Sequence, residues 1–378
     1  MIIDIPSHSV VIAIGGKRDP LAQVLDLVPA DAQPWNVNDP DGSRERVREV
    51  LKAKNRVRVA IVHAHAAAIR EVTKLAHKHG ARSILLRLPG APDVAQGLSK
   101  VDAVHDVAGP EGLEFRIQPM PSDLRHIKGP FDMIGDVHGT ADELRDLLVK
   151  LGHMDAEGSV IRHAQGRIPV MLGDYTDRGP KNREALEIVR ELTRSGGIAI
   201  LGNHDVKIMR WLQGKTVEIR AGAEVTVAEL EATSPEWRAE MAEWLEGLET
   251  HHVLDGGALV VAHAGLSEEY HGRHSGGARS HALYGKPIEG GTILDEDGYP
   301  LAEDWALAYG GEATVVHGHV IHPEPRLVNN VVAIDTAAVF GGSLTAYRWP
   351  EREFVSVKAR QTYFARRGFG DNAEAEEG

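Results

Sequence analysis

The chain reads as an α/β protein, and three observations carry that reading. Short apolar runs bounded by glycine recur along it, which is how buried strands look in sequence. Between several of them lie segments whose apolar residues return at helical spacing. Polar, ligand-type residues then cluster on glycine turns just past the apolar runs, where α/β folds build their sites.

The bulk properties fit and narrow this. At 378 residues the chain has room for two or three domains, and 42% hydrophobic with 26% charged residues is a globular composition. The absence of cysteine excludes disulfides and thiolate metal sites and suits a reducing cytosol, so a cytoplasmic protein is expected. Met1-Ile2-Ile3-Asp4 offers neither the basic start nor the apolar run of a signal peptide. No stretch approaches the roughly 18 uninterrupted apolar residues of a membrane span. A net charge of -13 argues against a long nucleic-acid groove, while leaving room for contact with a strand end.

In chain order, Val10 to Ile14, Val57 to Val62 and Ile84 to Leu88 read as strands. Ile69, Val72 and Ala76 mark a helix between the last two, and this alternation implies a parallel sheet. Gly15-Gly16-Lys17 invites comparison with a phosphate-binding P-loop. The four-residue spacer is missing, however, and Arg18 stands where a hydroxyl belongs, so an ordinary strand-to-helix turn is expected. Arg44 to Arg58 is strongly basic but has no interleaved aromatics, so it reads as a solvated helix face. Pro119, Pro121 and Gly129 make 110–130 the expected linker.

Beyond it the motifs become dense. Gly135-Asp136-Val137-His138-Gly139 follows Phe131 to Ile134, and Gly173-Asp174-Tyr175-Thr176-Asp177-Arg178-Gly179 follows Ile168 to Leu172. Gly202-Asn203-His204-Asp205, His263-Ala264-Gly265 and His317-Gly318-His319 each follow a further apolar run. Thr140 is expected to cap a helix lined by Leu144, Leu147, Leu148 and Leu151, and Pro180 to open another. Trp211, Trp237 and Trp244 read as packing residues in a helical insertion, and Asp255-Gly256-Gly257 as a hairpin turn. Residues 266–311, rich in glycine and histidine, are expected to loop over the site, and the acidic tail from Asp371 to be disordered.

These residue types suit two divalent metals held about 3.5–4 Å apart by a bridging carboxylate. Asp174 is the candidate bridge. Asp136 and His138 can complete one metal, and Asn203, His263 and His319 the other. A hydroxide between the metals, ionised near neutral pH, would be placed for in-line attack on phosphorus. Arg178 supplies a planar guanidinium for the phosphoryl oxygens. His204, with Asp177 fixing its tautomer, can protonate the departing alkoxide. Manganese, nickel, iron and zinc all suit oxygen and nitrogen donors, and manganese is the first expectation.

The order of motifs resembles the phosphoprotein-phosphatase branch of the calcineurin-like metallophosphoesterases. With Ser280-His281-Ala282-Leu283-Tyr284-Gly285 and Ile334-Asp335-Thr336 added, residues 130–357 resemble the phosphatase module of bacterial polynucleotide kinase-phosphatases. The diadenosine-tetraphosphatase-like bacterial phosphatases are near relatives of that module. The resemblance implies a β-sandwich flanked by helices, the ligand set above, Arg279 as a second phosphate-binding arginine and Asp335 as an active-site acid behind the ligands. It also implies a degenerate kinase-like domain over residues 1–125, a metallophosphoesterase domain over 126–360 and an acidic tail over 361–378. Val320 and Ala337 depart from the threonine and glycine usual at those positions, and no ligase-like domain is expected after residue 360. The expected activity is hydrolysis of nucleotide or nucleic-acid terminal phosphates, 2′,3′-cyclic, 2′ or 3′. The alternatives are a protein serine/threonine phosphatase and a diadenosine-tetraphosphatase-like nucleotide hydrolase. No membrane contact is expected, and the first domain is available to dock a protein partner.

Overall fold

The computed structural model describes residues 1–29, 35–36, 47–53, 56–62, 66–92, 100–287 and 304–366. Packing divides the chain into two compact units, Met1–Asp123 with Gly272–Arg279, and Leu124–His271 with Ser280–Gly378.

The first unit is built on strands β1 (Ile2–Pro6), β2 (Ser9–Gly15), β3 (Trp35–Asn36), β4 (Val57–Val62), β5 (Arg82–Arg87), β6 (Ala103–Asp106) and β7 (Glu114–Gln118). Five of them form a wholly parallel sheet in the order β3-β4-β2-β5-β6, as helix and strand alternation implies. Every residue of β2 is buried. Val10, Ile12 and Ile14 face Ile69, Val72 and Ala76 of the helix Ala66–Lys78, while Val11 and Ala13 face Leu21, Val24 and Leu25 of the helix Arg18–Asp26. Both faces are therefore covered, which is why β2 is a continuous apolar run rather than an alternating one. β1 and β7 pair separately, Ile2 opposite Glu114, a pairing no local pattern announces.

Gly15-Gly16-Lys17 turns directly from β2 into the helix at Arg18, with no intervening loop. A side chain at Gly16 would meet the Gly90 carbonyl oxygen at 3.1 Å, so the turn is closed in by its neighbour. Of the basic stretch, Arg56 bonds the Pro29 and Ser7 carbonyls and Arg58 the Leu25 carbonyl, so these two are tied to the fold rather than solvated. Residues 44–46 and 54–55 of that stretch lie outside the described residues, as do 288–303 of the expected loop and the tail beyond 366.

The second unit stacks two mixed sheets. Its strands are β8 (Phe131–Ile134), β9 (Ile168–Met171), β10 (Ile198–Ala199), β11 (His251–Leu254), β12 (Leu259–Ala262), β13 (Thr314–His317), β14 (Arg326–Val328), β15 (Val331–Ala333), β16 (Asp335–Thr336), β17 (Ser343–Trp349) and β18 (Glu353–Lys358). One sheet runs β10-β9-β8-β17-β16, with β18 also on β17, and the other runs β11-β12-β13-β15-β14. Phe131, Met133, Val170, Tyr347 and Trp349 from the first meet Leu259, Val261, Val316 and Val332 from the second in one core. The alternate residues turn outward: Ile134, Met171, Leu344 and Ala346 pack under helices, and Val260, Ala262, Val315 and Val331 pack under Trp305 and Tyr309. Parallel pairs β8/β9 and β12/β13/β15 bring their carboxyl ends to the turns that carry the motifs.

Several local expectations shift. Thr140 occupies the N-cap position of the helix Ala141–Leu151, but its hydroxyl donates to the Val137 carbonyl and caps nothing. The helix expected from Pro180 starts at Asn182, whose amide nitrogen donates to the Gly179 carbonyl and to Glu229. Asp255–Gly257 does join antiparallel β11 and β12. Trp237 and Trp244 pack against the helical layer and donate to Glu187 and Thr193.

Candidate metal and phosphate site

The predicted residues of the second unit lie at or just past strand ends. Asp136 and His138 follow β8, and Asp174, Asp177 and Arg178 follow β9. Asn203 and His204 open the helix Asn203–Leu212 after β10; His263 follows β12, His319 follows β13, and Asp335 opens β16. The backbone there is costly. His138 (φ 45°), Asp174 (50°), Asp177 (77°), Arg178 (72°) and His319 (62°) all take left-handed conformations that side chains disfavour. Close approach needs glycine too: a Cβ on Gly318 would lie 1.8 Å from Asp136 Oδ1, and one on Gly202 2.1 Å from Asp174 Oδ1.

Asp174 is the hub. Its Oδ2 lies 3.6 Å from His138 Nε2 and 3.3 Å from His263 Nε2, and its Oδ1 accepts the His204 backbone N–H at 3.0 Å. Two donor groups suited to a metal share it, His138-Asp174-His204 and Asp174-His263-His319, with ligand atoms within 4.8 Å of one another in each. Asn203 Oδ1 is 3.0 Å from His263 Nε2, and His319 Nδ1 is 3.1 Å from the same atom. Backbone carbonyls set the imidazoles: His138 Nδ1 donates to Thr176 at 2.8 Å and His263 Nδ1 to Leu172 at 2.9 Å, leaving both Nε2 atoms toward Asp174. Both Asp136 oxygens accept the His319 N–H at 3.1 Å, while His204 stands beside His138 and Asp174.

Around this hub, His204 Nδ1 meets Asp177 Oδ2 at 2.5 Å, and Asp177 also takes Lys207 Nζ at 2.7 Å and the Thr226 hydroxyl at 2.7 Å. Arg178 reaches between the rings, with Nη1 2.6 Å from His138 Nε2 and Nη2 3.1 Å from His204 Nε2. Asp335 accepts the Ala337 N–H. Arg279 is exposed on the helix Gly276–Tyr284, in the stretch grouped with the first unit.

The electrostatics are those of a crowded, buried polar cluster. Burial, then the charges of Asp335 and Asp174, push Asp136 well above the usual carboxylate range. Burial pushes Asp174 the same way, but His263, His204 and His138 together hold it well below that range. Burial works against charge on His263, yet Asp174 and Asp136 outweigh it and push the imidazole up to about 10. His319 is pushed down to about 3 by burial and by His263, and His204 is lowered by burial despite Asp177. The cluster thus lowers three imidazoles, His138, His204 and His319, and raises the fourth, His263. Its donors are oxygen and nitrogen without sulfur, which fits divalent ions of the harder kind.

Sequence reasoning missed three supports. Asp205 was quoted within its motif without a role; its carboxylate accepts the backbone N–H groups of Gly202, Asp174 and Tyr175 at 2.7 to 2.9 Å, tying the β9 and β10 turns together. Burial, then Asp174, push it up to about 7. Its signal was available: an acid three residues past the N-cap is the reciprocal half of a capping box. Lys207 and Thr226, which hold Asp177, carry no such mark.

Fold and site together define a metal-dependent phosphoesterase. The chain belongs to the calcineurin-like phosphoesterase family, which it matches over residues 129–323, and is a hydrolase of phosphate esters. Among its relatives, the bis(5'-nucleosyl)-tetraphosphatase PrpE (asymmetrical) of Bacillus velezensis is 40% identical over 242 residues, which span 63% of this chain and 96% of that protein. The protein of the same name from Bacillus subtilis (strain 168) is 40% identical over 238 residues, 62% of this chain and 96% of that one. Among the described residues no helix is long and apolar enough to cross a membrane.

Proposed function

We propose that the second unit hydrolyses bis(5′-nucleosyl) polyphosphates at a two-metal centre. The observation that carries this is the Asp174 carboxylate common to both donor groups. The tetraphosphatases that match at 40% identity support the substrate. Asp136, His138 and Asp174 would hold one ion, and Asp174, Asn203, His263 and His319 the other, with manganese tested first and nickel, iron and zinc after it. When bound, the ions supply Lewis acidity and ionise water near neutral pH.

The chain's own groups do the rest. Arg178, poised between His138 and His204, binds the phosphoryl oxygens with a planar fork, and the Asn203 amide can share that task. Asp177 engages His204 Nδ1, so Nε2 is the atom that would carry a proton to the departing oxygen once the substrate phosphate takes over the Arg178 contact. Asp335 sits buried behind Asp136 and, through the Ala337 N–H, fixes the turn beside the site. This chemistry is assigned to residues 126–360, with 1–125 left to dock a partner.

A second reading keeps the substrate at a nucleic-acid end, with residues 1–125 as a kinase-like domain that has lost its phosphate loop. It is favoured by Gly15-Gly16-Lys17 at the end of the central strand of a parallel sheet. The test is kcat/KM for a bis(5′-nucleosyl) tetraphosphate, a mononucleotide, a 3′-phosphorylated oligonucleotide and a phosphopeptide, in each metal. Tetraphosphate should lead. An oligonucleotide ahead by two orders of magnitude moves the assignment to the second reading, and a phosphopeptide so far ahead moves it to a protein phosphatase.

A further inference from the structure

The segment Ala359–Arg366 has no part in the chemistry above, yet it is tied to the edge of the site. The Ala359 N–H donates to the Gly342 carbonyl, and the Tyr363 and Phe364 N–H groups both donate to the Val339 carbonyl at 3.0 Å. Tyr363 Oη and the Arg360 N–H both reach Glu143 Oε1, which is buried on the helix Ala141–Leu151, and the Arg360 guanidinium pairs with Asp142 and Asp146. Tyr363 and Phe364 thereby pack on Val339 and Phe340, in the turn just after Asp335.

That anchoring brings a second guanidinium to the ring against which Arg178 rests. Arg178 Cζ lies 5.3 Å from the Phe340 ring centroid, and Arg366 Cζ lies 5.6 Å from the same centroid. Each contact is favourable to its cation, and the ring holds both side chains in place. Two like charges are thereby gathered at one buried phenyl ring. One arginine is committed to the phosphoryl group at the metal centre. The other contacts the same ring, so the two guanidinium groups are no further apart than the two ring distances together allow, a span within the reach of a tri- or tetraphosphate chain.

We propose that Arg366 is a substrate-binding residue that holds a phosphate further along the chain than the one held by Arg178, and so selects polyphosphate over monophosphate substrates. This rests on the proposed assignment of the site. Arg366 would be a phosphate-binding arginine in addition to Arg279, for which the family resemblance implies that role.

The test uses the full chain, with free metal held constant against chelation. Inhibition constants for inorganic tripolyphosphate and orthophosphate are measured against aryl phosphate hydrolysis, and their ratio is compared in wild type, Arg366→Ala and Arg366→Lys. A ratio reports only on the active molecules, so partial misfolding does not disturb it. Arg366→Ala should cut the preference for tripolyphosphate about tenfold, the loss of one charge-assisted contact, and Arg366→Lys should cut it less. A preference unchanged in Arg366→Ala, or lost equally in both variants, overturns the inference. Because the readout needs no nucleotide, failure of wild type to cleave a bis(5′-nucleosyl) tetraphosphate would refute the substrate assignment separately.

Discussion

Asp132 and Asp136 are both buried, one on β8 and the other on the turn that follows it, and the chain treats them in opposite ways. Asp132 is surrounded by two arginines and a histidine. Arg167 Nε donates to it at 2.8 Å, Arg348 Nε at 3.1 Å and His153 Nε2 at 2.8 Å. Burial works to raise its pKa, but these partners bring it down to about 2. Asp136 has carboxylates for neighbours, and burial with Asp335 and Asp174 raises it. At one end of the strand the charge complement is built into the sequence. At the other it is left to be completed, which is what a site for cations and anionic phosphate requires. Left-handed φ values occur on the turns of the site at His138, Asp174, Asp177, Arg178 and His319.

The comparison breaks most visibly at its hub. Asp174→Ala removes the one carboxylate common to both donor groups, so activity on an aryl phosphate should fall by at least about a thousandfold, with bound metal falling alongside. Metal analysis and turnover on the same sample check it. A metal-replete, active Asp174→Ala protein would remove Asp174 from the centre.

His204→Ala tests a narrower role. Metal content should hold, while kcat falls on the order of a hundredfold or more, and further for poor leaving groups that need a proton. Equal losses on activated and unactivated esters would show that His204 does not serve as the acid.

How much of this was legible follows from how local each feature is. The strand-end motifs were readable because a ligand pair such as Asp136 and His138 sits two residues apart on one glycine turn. The two-sheet core was harder, since β8 runs parallel to β9 yet antiparallel to β17, and no local pattern distinguishes the two. The N–H that captures Asp136 belongs to His319, 183 residues away, so that contact was out of reach. The Thr140 cap and the helix start at Pro180 were out of reach because short polar side chains such as Thr140 and Asn182 choose between capping and local backbone bonds, and that choice depends on the turn around them. Arg366 carries no motif at all. Its position depends on Tyr363, Phe364 and Glu143 packing together.

The satisfied end of β8 makes its own prediction. Asp132→Asn leaves Arg167 with the Phe131 carbonyl and Glu351 but without its buried carboxylate partner. Stability should fall by about 2–3 kcal/mol in denaturant titrations, with kcat of the folded enzyme within about twofold of wild type. A large loss of kcat at intact stability would mean that the two ends of the strand are coupled.

The smallest expected effect concerns pH and has a definite sign. A carboxylate held near 2 in the fold, against an ordinary value of 3.8, stabilises the folded state wherever it is ionised in both states. That contribution is fully present above about pH 4 and is lost as pH falls from there toward 2. A difference of roughly two pH units corresponds to about 2.5 kcal/mol. Other carboxylates titrate in the same window, Glu351 beside Arg167 among them, so wild type alone cannot isolate it. The comparison with Asp132→Asn does, because the variant has nothing to protonate at that position. Measured on chelated protein, so that metal loss does not intrude, the stability gap between the two should narrow by about that amount between pH 5 and pH 2. A gap that stays constant would mean that Asp132 owes its place to hydrogen bonding alone, and that its charge contributes nothing to the fold.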